Sequence, residues 1–170
     1  MKTILLLTTA LVAFAFTGLA QQPTSESWRA SRSGVLFPLA GTGSGELTVD
    51  NGTSGHAIAK LIDTLTDKKV CSIYIQPSTQ FTLSNVPDGR YKLIFCFGGE
   101  TLRGTDGFLA PTSSSEFENR LDFQTITKRT PTDDGVEIRT STSVLSITLH
   151  EVISGNAETD RISLADFNKY

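Results

Sequence analysis

The sequence predicts an all-β domain, an antiparallel β-sandwich of about seven strands. From Gly45 onward, short runs of alternating apolar and polar residues are separated by turn residues, which is the pattern of half-buried strands. Two strong turn signals, Asn51-Gly52 and Pro87-Asp88-Gly89, stand at the ends of such runs. Helical periodicity is almost absent. Several short strands with turns between them are typical of a sandwich.

Residues 1–20 are predicted to be a secretory signal peptide. Lys2 precedes an apolar run from Ile4 to Phe16, and the small residues Gly18 and Ala20 occupy the positions that a signal peptidase inspects. A membrane anchor is the alternative, but the run is shorter than the roughly 20 residues that cross a bilayer, and no second apolar stretch follows. We therefore expect a secreted, periplasmic or extracellular protein with no membrane span after signal removal.

Residues 21–44 are predicted to be a flexible leader. They are rich in Ser, Thr, Gly, Pro and Gln, and their only apolar island is GVLFPLAG, residues 34–41. A stretch of this kind buries too little apolar surface to offset the entropy of ordering it. As the alternative, Trp28 and the island dock on the sandwich or on a partner. The β-sandwich domain then spans residues 45–170, which is long enough for one stable core.

The first predicted strands are amphipathic. They are the runs GELTVDNG, HAIAKLID, KKVCSIYIQP and QFTLSNV. The proline and glycine after the fourth run predict a chain reversal into RYKLIFCF, which makes an antiparallel hairpin. In that arm Tyr91, Leu93, Phe95 and Phe97 fall on one face at period two. Four large side chains on one face predict burial between two layers of sheet, at about 1.5–3 kcal/mol each.

The C-terminal half carries weaker signals. Residues 98–120 are rich in Gly, Ser and Thr and are predicted to form a long surface loop pinned by Phe108 and Phe117. Two further strands are predicted in NRLDFQTITKRT and GVEIRTSTSVLSITLHEVI. The closing segment NAETDRISLADFNKY is predicted to be a short turn of helix or an edge strand, with Phe167 as its anchor.

The sequence contains two cysteines, Cys71 and Cys96. Outside the reducing cytoplasm such a pair can form a disulfide. The alternative is two buried thiols that act as small hydrophobic side chains. Strand register decides between the two, so the sequence leaves both open.

One run resembles a known group of domains. The residues LSNVPDGRYKLIF, starting at Leu83, resemble the hairpin of the prealbumin-like group, which includes transthyretin-like, carboxypeptidase-regulatory-like and collagen-adhesin B-type domains. The resemblance covers Gly45 to Phe97 and implies an Ig-like or prealbumin-like sandwich. One enzymatic branch, the hydroxyisourate hydrolases, uses histidines, an arginine and a Tyr-Arg-Gly-Ser ending. This sequence ends Asp-Phe-Asn-Lys-Tyr, and its Arg103-Gly104 pair is internal, and this departure disfavours that activity.

No motif in the sequence singles out a reaction. His56 and His150 have no carboxylate or cysteine cluster at metal-ligand spacing, so both are expected to be partly exposed and no metal is predicted. The nucleophile elbow G-x-S-x-G and the calcium loop are missing from the sequence. Candidate acid pairs all lie in polar segments, where solvated carboxylates are ordinary; they are Asp133 with Asp134, Glu116 with Glu118, and Glu158 with Asp160. We expect no catalytic residue and no cofactor.

The formal net charge of −3 and the absence of a basic stripe argue against a nucleic acid or an anionic membrane as partner. The leading hypothesis is an exported, non-enzymatic accessory or interaction module. Its partner would be a protein or a polysaccharide, bound on one sheet face or on the loop from Gly98 to Glu116. The alternative is a carbohydrate-binding domain that uses exposed Tyr74 or Trp28, because sugars stack on aromatic faces. A small transthyretin-like hydrolase ranks third.

Overall fold

The computed structural model describes residues 26–150 and 158–170, so the predicted signal peptide lies outside the described residues. Within these ranges the chain forms fifteen strands and one short helix. They are β1 Ser27–Arg29, β2 Gly34–Phe37, β3 Gly45–Asn51, β4 His56–Asp63, β5 Lys68–Ile75, β6 Thr79–Val86, β7 Gly89–Gly98, β8 Thr101–Arg103, β9 Gly107–Phe108, β10 Pro111–Phe117, β11 Leu121–Phe123, β12 Thr125–Thr132, β13 Gly135–Thr142, β14 Val144–Thr148, β15 Thr159–Arg161 and α1 Leu164–Asn168.

Two sheets pack face to face, which confirms the predicted all-β, sandwich-like fold. The large sheet has the order β15-β10-β7-β4-β5-β2, with β11 also paired to β7, and the small sheet has the order β14-β3-β6. Alternate residues of both sheets fill the space between them. This central core includes Leu47 and Val49 of β3, Leu83 of β6, Ile147 of β14, Leu61 of β4, Ile73 of β5, and Tyr91, Leu93 and Phe95 of β7.

The predicted buried face of β7 is confirmed. Tyr91, Leu93 and Phe95 are buried in the central core, while Phe97 is half-buried at its margin. The strand pairing is antiparallel except between β3 and β14, which run parallel from Glu46 beside Val144 to Asp50 beside Thr148. The strand number exceeds seven because the leader, residues 98–120 and the last two predicted strands are each divided into additional short strands.

The predicted hairpin at Pro87 is wrong. β6 pairs with β3 in the small sheet, whereas β7 pairs with β4 and β10 in the large sheet. The turn at residues 87–88 therefore carries the chain from one sheet to the other. Both strands still bury one apolar face, but the two faces meet across the central core. The positive φ of this segment lies at Asn85, at 64°, and not at Gly89.

A partly buried hydrogen bond holds this crossing in place. The Tyr91 hydroxyl donates to the Pro87 carbonyl oxygen at 3.1 Å, and its ring packs edge-on against Phe123. A Cβ added at Gly89 would lie 2.7 Å from that hydroxyl oxygen, so the close approach of the ring requires a glycine there.

Tyr91→Phe is expected to lower the free energy of unfolding by about 0.5–1.5 kcal/mol, because it removes the hydrogen bond to Pro87 and keeps the ring. Urea unfolding, read from the transition midpoint at an unchanged slope, measures the loss. Equal stability of the two proteins would show that the crossing does not depend on this bond.

The other face of the large sheet is also buried. We call the cluster there the second core: Ile58 and Ile62 of β4, Tyr74 of β5, Ile94 and Cys96 of β7, Leu102 of β8, Phe108 of β9, and Phe167 of α1. A three-stranded sheet of order β1-β8-β9 and the helix α1 contribute to this layer. The predicted long surface loop at residues 98–120 is therefore wrong, although Phe108 and Phe117 are buried as predicted.

The described part of the leader also differs from its prediction. β2 pairs with β5, with Val35 beside Ile73, and β1 pairs with β8. The Trp28 indole nitrogen donates to the Gly104 carbonyl oxygen at 2.9 Å. Residues 26–44 are ordered because their backbone forms hydrogen bonds with the edge strands of two sheets. Composition alone does not reveal this stabilisation. Residues 21–25 lie outside the described residues.

Candidate functional site

A projecting hairpin, Thr125–Thr142, is exposed along both of its strands; we call it the arm. It consists of β12 and β13, and all eight residues of each strand are exposed. At the rise of a β-strand, eight residues extend about 25 Å. The two strands pair only with each other in the described part of the chain. The arm is therefore a two-stranded ribbon outside both cores.

The base of the arm is tied to the crossing between the two sheets. The Asp88 carboxylate accepts hydrogen bonds from the backbone nitrogen of Thr125 at 3.0 Å and from its hydroxyl at 2.9 Å. On the other strand, the Ser143 hydroxyl accepts a hydrogen bond from the backbone nitrogen of Gln124 at 3.0 Å. These contacts fix where the arm leaves the sandwich.

The two faces of the arm differ in chemistry. Alternation places Val136 and Ile138 on one face, with the Thr127 and Thr140 pair nearer the base. These two apolar side chains are 62% and 59% exposed. The opposite face carries Lys128, Glu137 and Arg139, and Arg139 pairs there with Glu137 of the same strand at 2.7 Å. Arg129 lies beside Ile138 on the first face. The arm thus offers both apolar contact and paired charges to solvent.

A buried charge cluster lies beside the second core. Lys60 of β4 is only 1% exposed, and its Nζ donates to the main-chain oxygens of Phe167 at 3.2 Å and Tyr170 at 2.8 Å. The Asp106 carboxylate lies 3.5 Å from Lys60 and 2.6 Å from Lys69. Two lysines therefore share one carboxylate in a region with little water.

Burial lowers the pKa of Lys60 from its ordinary value near 10.5, because a charged amine is poorly solvated there. The Asp106 carboxylate opposes this shift, and the Lys69 ammonium adds to it. A lysine with a lowered pKa can act as a nucleophile. Here the amine is occupied by main-chain oxygens and lies 4.2 Å from the centre of the Phe167 ring. Lys60 therefore ties the C-terminal segment to the sheet.

A second ionic cluster extends this tie to the surface. Asp67, in the turn between β4 and β5, accepts hydrogen bonds from Lys169 at 2.7 Å and from the Tyr170 hydroxyl at 2.6 Å. Lys92 lies 3.2 Å away. The hydrogen bonds from Lys169, Tyr170 and Lys92 hold the pKa of Asp67 well below its usual range.

The two histidines have different neighbours. His56 begins β4, and its Nδ1 shares a hydrogen bond of 2.6 Å with the Tyr74 hydroxyl. His150 follows β14 and lines a cavity of about 170 Å³ together with Phe95, Phe97 and Thr148. Both imidazoles are half-buried, which agrees with the partial exposure predicted for each histidine.

The two aromatic residues predicted to bind sugar differ in exposure. Tyr74 is 1% exposed in the second core, so its predicted role as an exposed platform is wrong. The reason is that the face of β5 opposite the central core is also covered. Trp28 is 39% exposed and lies beside a shallow groove of about 340 Å³ that residues 28–36 line.

The candidate acid pairs lie at the surface or near it. Asp133 and Asp134 form the turn of the arm, and Glu116 pairs with Arg120 at 2.9 Å. Reduced solvation and the nearby Asp160 and Glu158 carboxylates raise the pKa of Glu118. Across the described ranges, no three His, Cys, Asp or Glu side chains are grouped so that they could hold a metal ion.

The two cysteines lie on opposite faces of the large sheet, and both are free. Cys71 is level with Leu61 of β4, which is level with Leu93 of β7. Cys96 lies three residues beyond Leu93, so it points to the other face. Cys71 therefore belongs to the central core and Cys96 to the second core. Of the two possibilities left open by the sequence, the structure contains two buried thiols.

Neither thiol is expected to react with a disulfide reagent at pH 8 in the folded protein. Burial raises the pKa of Cys71 to about 12 and that of Cys96 to about 11, so almost no reactive thiolate is present. Titration after unfolding in guanidinium chloride should release two thiols. Release of none would show that the two sulfurs are bonded.

Sequence reasoning missed the charge cluster and the exposure of the arm. Lys60 gave a usable signal, because it lies inside the apolar run AIAKLI and shares a strand face with Ile58 and Ile62. The exposure of the arm also had a signal in the sequence, because neither face of its two strands is apolar throughout.

Comparison of the chain with protein-family models, with curated proteins and with solved structures found no match. In the described residues, no helix has the length and apolar character to cross a membrane.

Proposed function

We propose that this protein is an exported, non-enzymatic β-sandwich module that acts by contact, and that the arm is its contact surface. The observation that carries this proposal is that every residue of both arm strands is exposed, including the apolar side chains of Val136 and Ile138. An isolated two-stranded ribbon is at best marginally stable in water. A partner that covers one face or edge of the arm would stabilise it.

The most unusual ionisable groups support a role in contact rather than catalysis. Lys60, Lys69 and Asp106 hold the C-terminal segment against the large sheet. The His56 imidazole is hydrogen-bonded to a buried tyrosine. Both cysteines are buried thiols with raised pKa values. Each of these groups is used in packing, whereas no contact among residues 26–150 and 158–170 explains the exposed apolar residues of the arm.

Site-specific photocrosslinking in the native compartment tests the proposal. A photoreactive amino acid at Ile138 should give discrete crosslinked products. The same amino acid at Leu65, which is 91% exposed in the turn between β4 and β5, serves as the matched control and should give none. Absence of products from Ile138, or the same products from both positions, would overturn the assignment of the arm. Turnover of an ester, peptide or glycoside would overturn the non-enzymatic part.

A second candidate function is carbohydrate binding at Trp28. The indole is held in place by its hydrogen bond to Gly104 and leaves 39% of its surface exposed beside the groove of residues 28–36. A fixed, half-exposed ring is suited to stacking on a sugar. Retention on insoluble polysaccharide that Trp28→Ala abolishes would support this function. Retention that persists in the variant would reject it.

A further inference from the structure

We propose that the partner of the arm is a second copy of this chain. The two arms join edge to edge through β13, so that two ribbons form one four-stranded antiparallel sheet. This inference rests on the proposed function of the arm and names its partner.

The two outer edges of the arm are not equivalent. β12 carries the adjacent cations Lys128 and Arg129, and its Pro131 has no N–H to donate. Charged side chains and proline are the features that protect edge strands from pairing. β13 contains no proline, and its opposite charges at Glu137 and Arg139 alternate with apolar Val136 and Ile138. The edge available for association is therefore β13.

The sequence of β13 is complementary to itself. A two-fold axis at Ile138, perpendicular to the sheet, places Ile138 opposite Ile138 of the second copy. Glu137 then lies opposite Arg139 of the second copy, and by symmetry this charge pair occurs twice. On the other face, Val136 lies opposite Thr140. The Glu137–Arg139 contact of 2.7 Å within one chain confirms that both side chains lie on the same face.

The two adjacent registers of β13 bring like charges together. An axis at Glu137 or at Arg139 would place that charge opposite itself. Pairing through β12 around Lys128 or Arg129 would likewise oppose identical cations. Like charges directly opposite one another are destabilising. Among registers of β13 with the two-fold axis at a residue, the one centred on Ile138 places Glu137 opposite Arg139.

Charge reversal tests the proposed register. In sedimentation equilibrium on the purified, signal-free chain, the wild type should be a dimer. Glu137→Arg and Arg139→Glu should each weaken dimerisation by about tenfold or more, because each single change opposes like charges twice. An equimolar mixture of the two variants should recover the dimer, since every opposing pair then has opposite sign. Arg32→Glu, an exposed charge reversal outside the arm, is the matched control and should leave dimerisation unchanged.

Circular dichroism should show that all variants fold, because the arm is outside both cores. A wild-type monomer at every concentration, single variants that dimerise normally, or a mixture that stays monomeric would each overturn the inference. Discrete crosslinks from Ile138 to a different protein, with a monomeric purified chain, would overturn the inference and leave the proposed function standing. A lack of any crosslink from the arm would remove both.

Discussion

Asp106→Asn is expected to lower the free energy of unfolding by about 3–5 kcal/mol, because it removes the carboxylate from a buried ion pair and leaves the cations behind. Lys60 and Lys69 would both remain beside the second core without the Asp106 carboxylate. Since Lys60 is almost fully buried, it cannot recover hydration without displacing the C-terminal segment that it binds. Urea unfolding followed by circular dichroism measures the loss.

The same variant should change the pH dependence of stability. The pKa of Lys60 in the folded protein is below its ordinary value near 10.5. At pH values between the folded-state pKa of Lys60 and its unfolded value, the Lys60 amine is protonated in the unfolded chain and neutral in the folded chain. The free energy of unfolding therefore rises with pH in this range. Asp106 raises the pKa of Lys60, so removal of the Asp106 carboxylate should lower that pKa further. The pH range in which stability rises should then extend further toward neutral pH. The stability lost in Asp106→Asn should therefore be partly recovered as pH rises toward 10.5.

Asp122→Asn is the matched control for Asp106→Asn. Asp122 also pairs with a cation, Arg90, at 3.0 Å, but both side chains are at least half exposed. Surface pairs of this kind contribute about 0–1 kcal/mol. Equal losses from the two substitutions would contradict the structural role assigned to the buried cluster.

Phe167→Ala is expected to cost about 3–5 kcal/mol, the range for removing a buried aromatic side chain from a core. Phe167 is 1% exposed, packs in the second core and lies against Lys60. Its truncation would leave a cavity and loosen α1, since Phe167 is the buried residue of that helix. Chemical unfolding measures the stability, and limited proteolysis should show earlier cleavage in residues 158–170.

Leu164→Ala, at the first residue of the same helix and 38% exposed, should cost far less. Similar losses from the two alanine substitutions would contradict docking of Phe167 in the second core as the source of the segment's stability, because alanine does not lower helix propensity at either position.

The first half of the fold was predictable because its strands are amphipathic. The runs that start at Gly45, His56 and Lys68 form strands close to their predicted bounds, since alternation records the face that is buried. Pairing was less predictable. Pro87 signals a turn equally well between two strands of one sheet and between two sheets, so the hairpin was inferred where a crossing exists.

The same alternation prevented prediction of the second core. β4 and β7 are buried on both faces, but Lys60 and Lys92 made the second face appear solvated. The Lys60 charge is compensated by Asp106, which lies 46 residues further along the chain, a contact that no local pattern reveals. The sequence predicts strands in the arm, yet the exposure of these strands depends on what the rest of the chain leaves uncovered.

The parallel pairing of β3 with β14 affects how the protein forms. These neighbours are about a hundred residues apart in sequence, and joining such distant segments slows folding. During synthesis from the N-terminus, β3 and β6 can associate early, but one side of β3 stays open until residues 144–148 emerge. A truncated or stalled chain would therefore present an uncovered strand to its surroundings, and the interval before completion is when it most needs protection from aggregation.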